Sequence, residues 1–307
     1  MGKEPLIVDI KGNSLDDGPG IRTVIFFKGC PLSCVWCHNP ECISPEQELL
    51  YDYQCCIGCG NCIDVCPQQA ISPENRFWID RKLCNLCMDC TQSCPGGALY
   101  PAGSKWDIAQ VIEQVEKDKP FFDNSGGGVT LSGGEPALHL EYVASLGEEF
   151  KKKEIHTLIE TSGLFNLKHF QEKVLPFIDD IYFDLKLVDS EKHKYYCGVV
   201  NTPILRNLKE LHNLSQDGSF NLLPRMPLVP NITDTEENLL AAAHFLLENG
   251  MDRICLLPYN PLWVDKLFRM GKPNPYSEDH PFLNWMPREN EEKAKDIIRN
   301  MGITLVE

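Results

Sequence analysis

No stretch of this sequence is long and apolar enough to span a membrane; uninterrupted apolar runs stop well short of the ~18–20 residues required. Met1-Gly2-Lys3-Glu4-Pro5 leads into no apolar core, which argues against a signal peptide, and Leu6 stands where myristoylation needs Ser or Thr. Positive charge is scarce: 29 Lys and Arg face 44 Asp and Glu, a net charge of −15. Without a basic stripe the chain is a poor nucleic-acid binder. Its glycine-rich stretch is not followed by Gly-Lys-Ser/Thr, so a phosphate loop is not supported. The expectation is a cytoplasmic protein with neither membrane nor nucleic-acid partners. At 307 residues and 43% apolar content, it can build one large domain or two.

Cysteine, by contrast, is abundant. Fifteen cysteines in a chain of this kind argue for metal rather than a disulfide framework. Three lie in Cys30-Pro31-Leu32-Ser33-Cys34-Val35-Trp36-Cys37, with spacings x3 and x2. An iron–sulfur cube takes four ligands, so three thiols leave one iron open. A closed zinc site with His38 as fourth ligand, or a disulfide, fits the spacing as well. Asp16-Asp17-Gly18-Pro19-Gly20 is turn chemistry and Arg22–Phe27 a short strand, residues 1–29 reading as a first strand with its approach. The three thiols then fall just past a strand's C-terminal end, where α/β barrels collect their active sites.

Residues 49–100 change character. Cys56-x2-Cys59-x2-Cys62-x3-Cys66-Pro67 matches the bacterial ferredoxin run, and Cys84-x2-Cys87-x2-Cys90-x3-Cys94-Pro95 repeats it. The fourth Cys of each run ligates the other cluster in two-cluster ferredoxins. That assigns Cys56, Cys59, Cys62 and Cys94 to one cube, and Cys84, Cys87, Cys90 and Cys66 to a second. Cubes fully ligated by protein suit electron transfer, and metal would largely hold so small a segment together.

Beyond residue 100 the pattern alternates strand and helix, which implies a parallel sheet. Ser104-x-x-Asp107 reads as a capping box before a helix with Ile108, Val111, Ile112 and Val115 on one face. Gly126–Pro136 reads as a strand framed by glycines that let a ligand approach the backbone. Strands follow at 155–160, 181–187, 222–228 and 253–259. In the third of these five, Ile181, Phe183, Leu185 and Leu187 alternate with Tyr182, Asp184 and Lys186, aiming Asp184 and Lys186 into a lumen. Thr233-x-x-Glu236 reads as a cap for a helix ended by Gly250. Residues 261–288 lack periodicity, and Trp263, Phe268, Phe282 and Trp285 suggest an ordered contact surface. A helix at 289–300 and a short strand at 303–306 close the chain. Cys255 reads as a core thiol.

Cys30-x3-Cys34-x2-Cys37 followed by Gly133-Gly134-Glu135 resembles the radical S-adenosylmethionine (SAM) enzymes. Asp17-Gly18-Pro19-Gly20-Ile21-Arg22, Ser125-Gly126-Gly127-Gly128-Val129-Thr130 and Asp184-Leu185-Lys186 narrow the likeness to the glycyl-radical-enzyme activating enzymes, in their larger form. The resemblance implies an α/β fold. Residues 1–48 and 101–307 form an incomplete (β/α)6 radical SAM barrel, and 49–100 an inserted ferredoxin-like domain. Three 4Fe-4S clusters are implied, one binding SAM and two in the insert. SAM would chelate the open iron on Cys30, Cys34 and Cys37, and one electron would cleave it to methionine and a 5′-deoxyadenosyl radical. That radical would take the α-hydrogen of a glycine in a partner glycyl radical enzyme.

By the same likeness Trp36 would lie against the adenine, and Gly133 and Gly134 would bond the methionine amino group, with Glu135 ordering their turn. Lys186 would pair with the carboxylate, and Arg225, in Arg-x-Pro-Leu-Val-Pro, would lie nearby. Asp184, Glu160 and Thr161 match a site that in some relatives holds a monovalent cation. Asn39 and Asn260 complete the cofactor-binding candidates. Some relatives carry Asp in place of Glu160 and His in place of Asn260; an Asn can still hydrogen-bond a hydroxyl. A flavodoxin or ferredoxin-type donor and a monomeric state complete the expectation.

Overall fold

The computed structural model describes residues 4–306. The chain opens with β1 (Leu6–Ser14) and β2 (Arg22–Phe27), which pair antiparallel. The expected single strand is therefore a hairpin, because β1 alternates buried and exposed residues as a half-solvated strand does. A short excursion follows: β3 (Glu48–Tyr51), one-turn helices α1 (Asn61–Asp64) and α2 (Asp89–Gln92), and β4 (Leu99–Ala102). β3 and β4 form their own two-stranded ladder, with Glu48 opposite Ala102 and Tyr51 opposite Leu99. The segment thus leaves and re-enters the main body at one place.

After β5 (Ser104–Lys105), helices α3 (Ile108–Glu116) and α4 (Lys119–Ser125) lead into β6 (Gly128–Gly133). The alternation continues through α5 (Leu140–Lys152), β7 (His156–Thr161), α6 (Leu167–Lys173) and β8 (Asp180–Asp184). α7 (Ser190–Cys197), α8 (Thr202–Ser215), β9 (Asn221–Leu228), α9 (Glu236–Glu248) and β10 (Arg253–Pro258) follow. The chain closes with α10 (Trp263–Arg269), α11 (Arg288–Asn300) and β11 (Thr304–Leu305). The main sheet runs β11-β10-β9-β8-β7-β6-β2-β1-β5. Its six central strands, β2 and β6 to β10, are mutually parallel and lie in chain order.

Strand residues on one face pack under the helices: Ile25, Leu131, Ile159, Ile181 and Phe183 meet Val111, Leu146, Phe150, Leu208 and Leu239 in one buried core. The alternation on β8 holds past its end, since Leu185 and Leu187 stay buried. No helix among the described residues is long and apolar enough to cross a membrane.

Two helix starts differ from the expected ones. Asp107, not Ser104, caps α3, in a reciprocal box with Gln110, while Ser104 lies in β5. Thr235 caps α9, and the Thr233 hydroxyl instead accepts from Val229 N at 2.6 Å. Both sequences offer several capping residues in a row, and the strand ending just before the helix decides which is free. The 261–288 segment also differs. Trp263 and Phe282 are buried core residues, Phe268 is half-buried, and only Trp285 of the four aromatics is exposed. An apolar cluster with Tyr259 and Val229 claims them.

Leu146 is wholly buried between helices and sheet. Leu146→Ala should lower unfolding free energy by about 2–5 kcal/mol, measured by anaerobic denaturant titration.

Candidate functional site

The loop after β2 carries Cys30, Cys34 and Cys37, none of them in a disulfide. Backbone bonds hold it on three sides. Gly29 N donates to Cys42 O at 2.8 Å and Cys30 N to Ile43 O at 3.0 Å. Ser33 N and Val35 N donate to the carbonyls of Cys197 and Tyr196, at the end of α7, at 2.9 and 3.0 Å. Burial pushes the Cys30 and Cys37 thiols up to about 12. Cys34 is held below its ordinary value by the neighbouring Cys197 thiol, against burial, with help from Lys186. Cys30 and Cys34 thus sit within the field of Lys186, and all three thiols lie in a largely desolvated place. Among the described residues no three His, Cys, Asp or Glu side chains close on the volume of a single metal ion. A cube offers its irons at separate corners, so its thiolates stand apart.

The glycine-rich loop after β6 lies directly against this one. Gly134 N donates to Phe27 O and Glu135 N to Gly29 O, both at 2.8 Å. A Cβ on Gly134 would come within 2.2 Å of the Gly29 carbonyl oxygen and 2.8 Å of the Cys42 oxygen. Gly133 has φ +100°. These glycines therefore serve a close approach of one backbone to another, as well as leaving room for any ligand. Glu135 is wholly buried and accepts from Thr161 Oγ1 at 2.9 Å, Ser162 N at 2.8 Å and Ser162 Oγ at 2.6 Å. Burial raises its pKa, and those hydrogen bonds oppose the rise.

Across β7, β8 and β9 runs a chain of buried charge. Arg225 Nη1 donates to Glu160 at 2.6 Å and Nη2 to Asp184 at 3.3 Å, while Lys186 Nζ donates to the other Asp184 oxygen at 3.0 Å. Ser132 Oγ donates to the second Glu160 oxygen at 2.5 Å. The register sets Asp184 beside Arg225 on neighbouring parallel strands. Burial works to discharge Lys186, but Asp184, with Cys34 and Cys197, holds its pKa above the ordinary value. Burial likewise pushes Glu160 up, opposed chiefly by Arg225. The Arg225 guanidinium lies 4.9 Å from the Tyr182 ring, and its Nε is buried without a partner. A buried, unpartnered donor beside an ammonium group is the chemistry of a carboxylate-binding cavity.

Asp184, Glu160 and Thr161, the expected cation trio, all bond to protein groups. The positive charge between Glu160 and Asp184 is the Arg225 guanidinium, and the Thr161 hydroxyl turns to Glu135 instead. Trp36 is buried in a cluster with Leu32, Leu187 and Tyr259. Asn39 Oδ1 accepts from Lys266 Nζ at 2.8 Å, and Asn260 Oδ1 from Leu262 N at 3.3 Å, so both amides are engaged locally. His38 packs edge-on against Tyr259, ring centroids 5.6 Å apart. Cys255 is half-buried beside Arg225, opposite it in the β9–β10 register, rather than in the apolar core. Ser132, Ser162 and Cys197 escaped the sequence reading. Ser132 had a signal, two residues from Thr130 on the same strand face; Cys197 had none, because only the fold brings α7 to the loop.

In the excursion, Cys66, Cys84, Cys87 and Cys90 line one small cavity. Cys56, Cys62 and Cys94 share a second neighbourhood, each felt by the Tyr51 hydroxyl. Ala70 N donates to Cys66 Sγ at 3.3 Å and Ala98 N to Cys94 Sγ at 3.2 Å, the same bond at the end of each run. Cys59 and Cys87 are exposed, as is the neighbouring Cys55.

A family model for a 4Fe-4S single cluster domain matches residues 16–196. The chain is 37% identical over 299 residues to the trans-4-hydroxy-L-proline dehydratase activating enzyme of Clostridioides difficile, covering 96% of this chain and 95% of that one. It is 35% identical to the choline trimethylamine-lyase activating enzyme of Oleidesulfovibrio alaskensis, over 92% of each. The benzylsuccinate synthase activating enzyme of Thauera aromatica is 33% identical, covering 98% of this chain and 93% of its own. Among solved structures, a radical SAM methyltransferase from Sphaerobacter thermophilus shares the fold at TM-score 0.52 and 12% identity, over 98% of this chain and 76% of its own.

Arg225 is the keystone of the charge chain, so Arg225→Ala should cost about 3–5 kcal/mol by leaving two buried carboxylates under-compensated. Anaerobic denaturant titration checks it, and Glu160→Gln should cost less.

Proposed function

The chain belongs to the glycyl-radical-enzyme activating enzymes of the radical SAM class, and from that premise we propose how its residues divide the work. Its function is to activate a partner glycyl radical enzyme, with a 4Fe-4S cluster and SAM as the family's cofactors. When bound, the cluster and SAM supply a 5′-deoxyadenosyl radical, which removes a glycine α-hydrogen from the partner.

Cys30, Cys34 and Cys37 would hold the SAM-binding cluster through their three thiolates. The observation that carries this reading is their position: three free thiols on one loop, two of them within the field of Lys186, at the end of the parallel strands that carry Arg225 and its unpartnered Nε. Lys186 and Arg225 would hold the SAM carboxylate, and Asp184 keeps both bases charged in a dry cavity. Gly133 and Gly134 would present backbone groups to the amino end, in a turn kept in shape by Glu135. Trp36 would stiffen the loop from below and offer an edge to the adenine.

The parallel strands and their helices make up the incomplete (β/α)6 barrel, residues 1–48 and 101–307. Residues 49–100 are a ferredoxin-like insert. Support for two cubes there comes from the repeated Cys runs, the cavity that mixes Cys66 with Cys84, Cys87 and Cys90, and the matched N–H···S bonds. A flavodoxin or ferredoxin-type protein would supply the electron.

Cys34→Ala, reconstituted anaerobically, should form no 5′-deoxyadenosine while keeping roughly two-thirds of the iron, because the two insert cubes have their own ligands. Chromatography and iron analysis read both quantities; loss of all the iron would refute the division of ligands. With the unaltered protein, reductant and SAM, electron paramagnetic resonance (EPR) of a cognate partner should show a carbon-centred doublet.

A further inference from the structure

α10 touches two parts of the molecule at once. On one side Lys266 Nζ donates to His38 O at 2.9 Å and Asn39 Oδ1 at 2.8 Å, and pairs with Glu41 at 2.7 Å. These residues follow Cys37 directly. Less than one turn further on, Arg269 pairs with Asp52 at 2.7 Å, just past β3. Phe268 meets Tyr53 and Phe77 with ring centroids 5.2 and 5.5 Å away. Arg81 reaches back from the insert, donating to Leu49 O at 2.6 Å and Arg269 O at 3.2 Å.

The helix has little freedom to shift. Trp263, buried at its start, donates through Nε1 to the Tyr259 hydroxyl at 2.7 Å, and that hydroxyl donates to Phe282 O at 2.8 Å. Tyr259 directly follows β10, so α10 is fastened to the main sheet. Lys28, wholly buried at the end of β2, joins the same two parts from below through Glu41 O at 2.6 Å and Glu48 at 2.7 Å. The Lys266 and Arg269 pairs are only partly buried. Such pairs add little to overall stability, so what they set is placement.

We propose that α10 is a positioning element that fixes the insert at a set separation from the three-cysteine loop, with Lys266 and Arg269 as its fasteners, so that electrons entering the insert reach the loop. This rests on the reading that both parts carry iron–sulfur clusters. In the transfer a reduced insert cluster loses one electron and the loop's cluster gains it; a one-electron donor protein of the flavodoxin or ferredoxin class restores the insert. No covalent bond changes in this step. Lys266 and Arg269 touch neither SAM nor the reacting atoms in this arrangement; they act through the groups they hold.

The test uses the full holoenzyme with its insert clusters reduced and excess reductant removed. SAM is added, and freeze-quenched EPR follows the decay of the insert's reduced signal. Lys266→Ala and Arg269→Ala should retain their iron and the spectrum of each cluster, yet slow the decay several-fold. Lys266→Arg and Arg269→Lys should recover much of the rate, as a purely electrostatic fastening requires. If the alanine variants lose iron, Phe268→Leu replaces them, with the same slowing expected. Decay at the unaltered rate in variants that retain their iron overturns the proposal. An unaltered protein with no reduced insert signal defeats the underlying reading instead, before any variant is compared.

Discussion

Arg225 lies between two carboxylates on neighbouring strands, and its guanidinium decides what the concave side of the sheet can be. Without it, Glu160 and Asp184 would face each other in a desolvated place, where like charges raise each other's pKa. With it, both carboxylates have a partner, Lys186 keeps its proton, and one guanidinium nitrogen is left over. Buried ion chains of this sort contribute little net stability. Their effect is to keep a cavity polar, charged and defined in shape. The main hydrophobic cluster packs strand residues under the helices.

The second constraint is steric. The loop that carries the three thiols and the loop after β6 are bonded to each other through Gly29, Gly134 and Glu135, at a distance no side chain could share. Glu135 completes the join by capping the next strand's end through Thr161 and Ser162. The three thiols and the glycine-rich turn are thereby placed in one rigid unit. Such pre-organisation is what a positioned radical step needs from its protein, the chemistry itself being the cofactor's.

The family relationship explains why relatives of such different named partners keep the same length and architecture. The dehydratase, lyase and synthase activators match this chain over nearly all of it. What they share therefore extends over nearly the whole chain, the cysteine loop included. On this chain Trp263 and Phe282 of the 261–288 segment join the apolar cluster that includes Leu32 and Trp36 of the cysteine loop, Trp285 stays exposed, and α10 reaches Asp52 just past β3.

Much of this was legible from local pattern alone. Cysteine spacing, the Gly133-Gly134-Glu135 turn and the alternation about Asp184 depend on neighbours in sequence, and a parallel strand's two faces follow from a period of two. The helix at 108–116 was equally plain from its apolar periodicity. What the chain could not disclose locally was the choice of partner among competing groups. Arg225 pairs with both Glu160 and Asp184 because β7, β8 and β9 are adjacent and in register. Thr161 serves Glu135 because β7 ends beside the β6 loop; Cys197 meets Cys34 because α7 ends against the cysteine loop. The cap of α9 moved for a related reason, since the Thr233 hydroxyl is already bonded to Val229 N, and that of α3 moved because Ser104 lies in β5. Sequence by itself determined which chemical groups are present and on which face of which element. Tertiary structure decided which of them pair, because hydrogen bonds and ion pairs act over a few ångström and only the packed sheet brings distant residues that close.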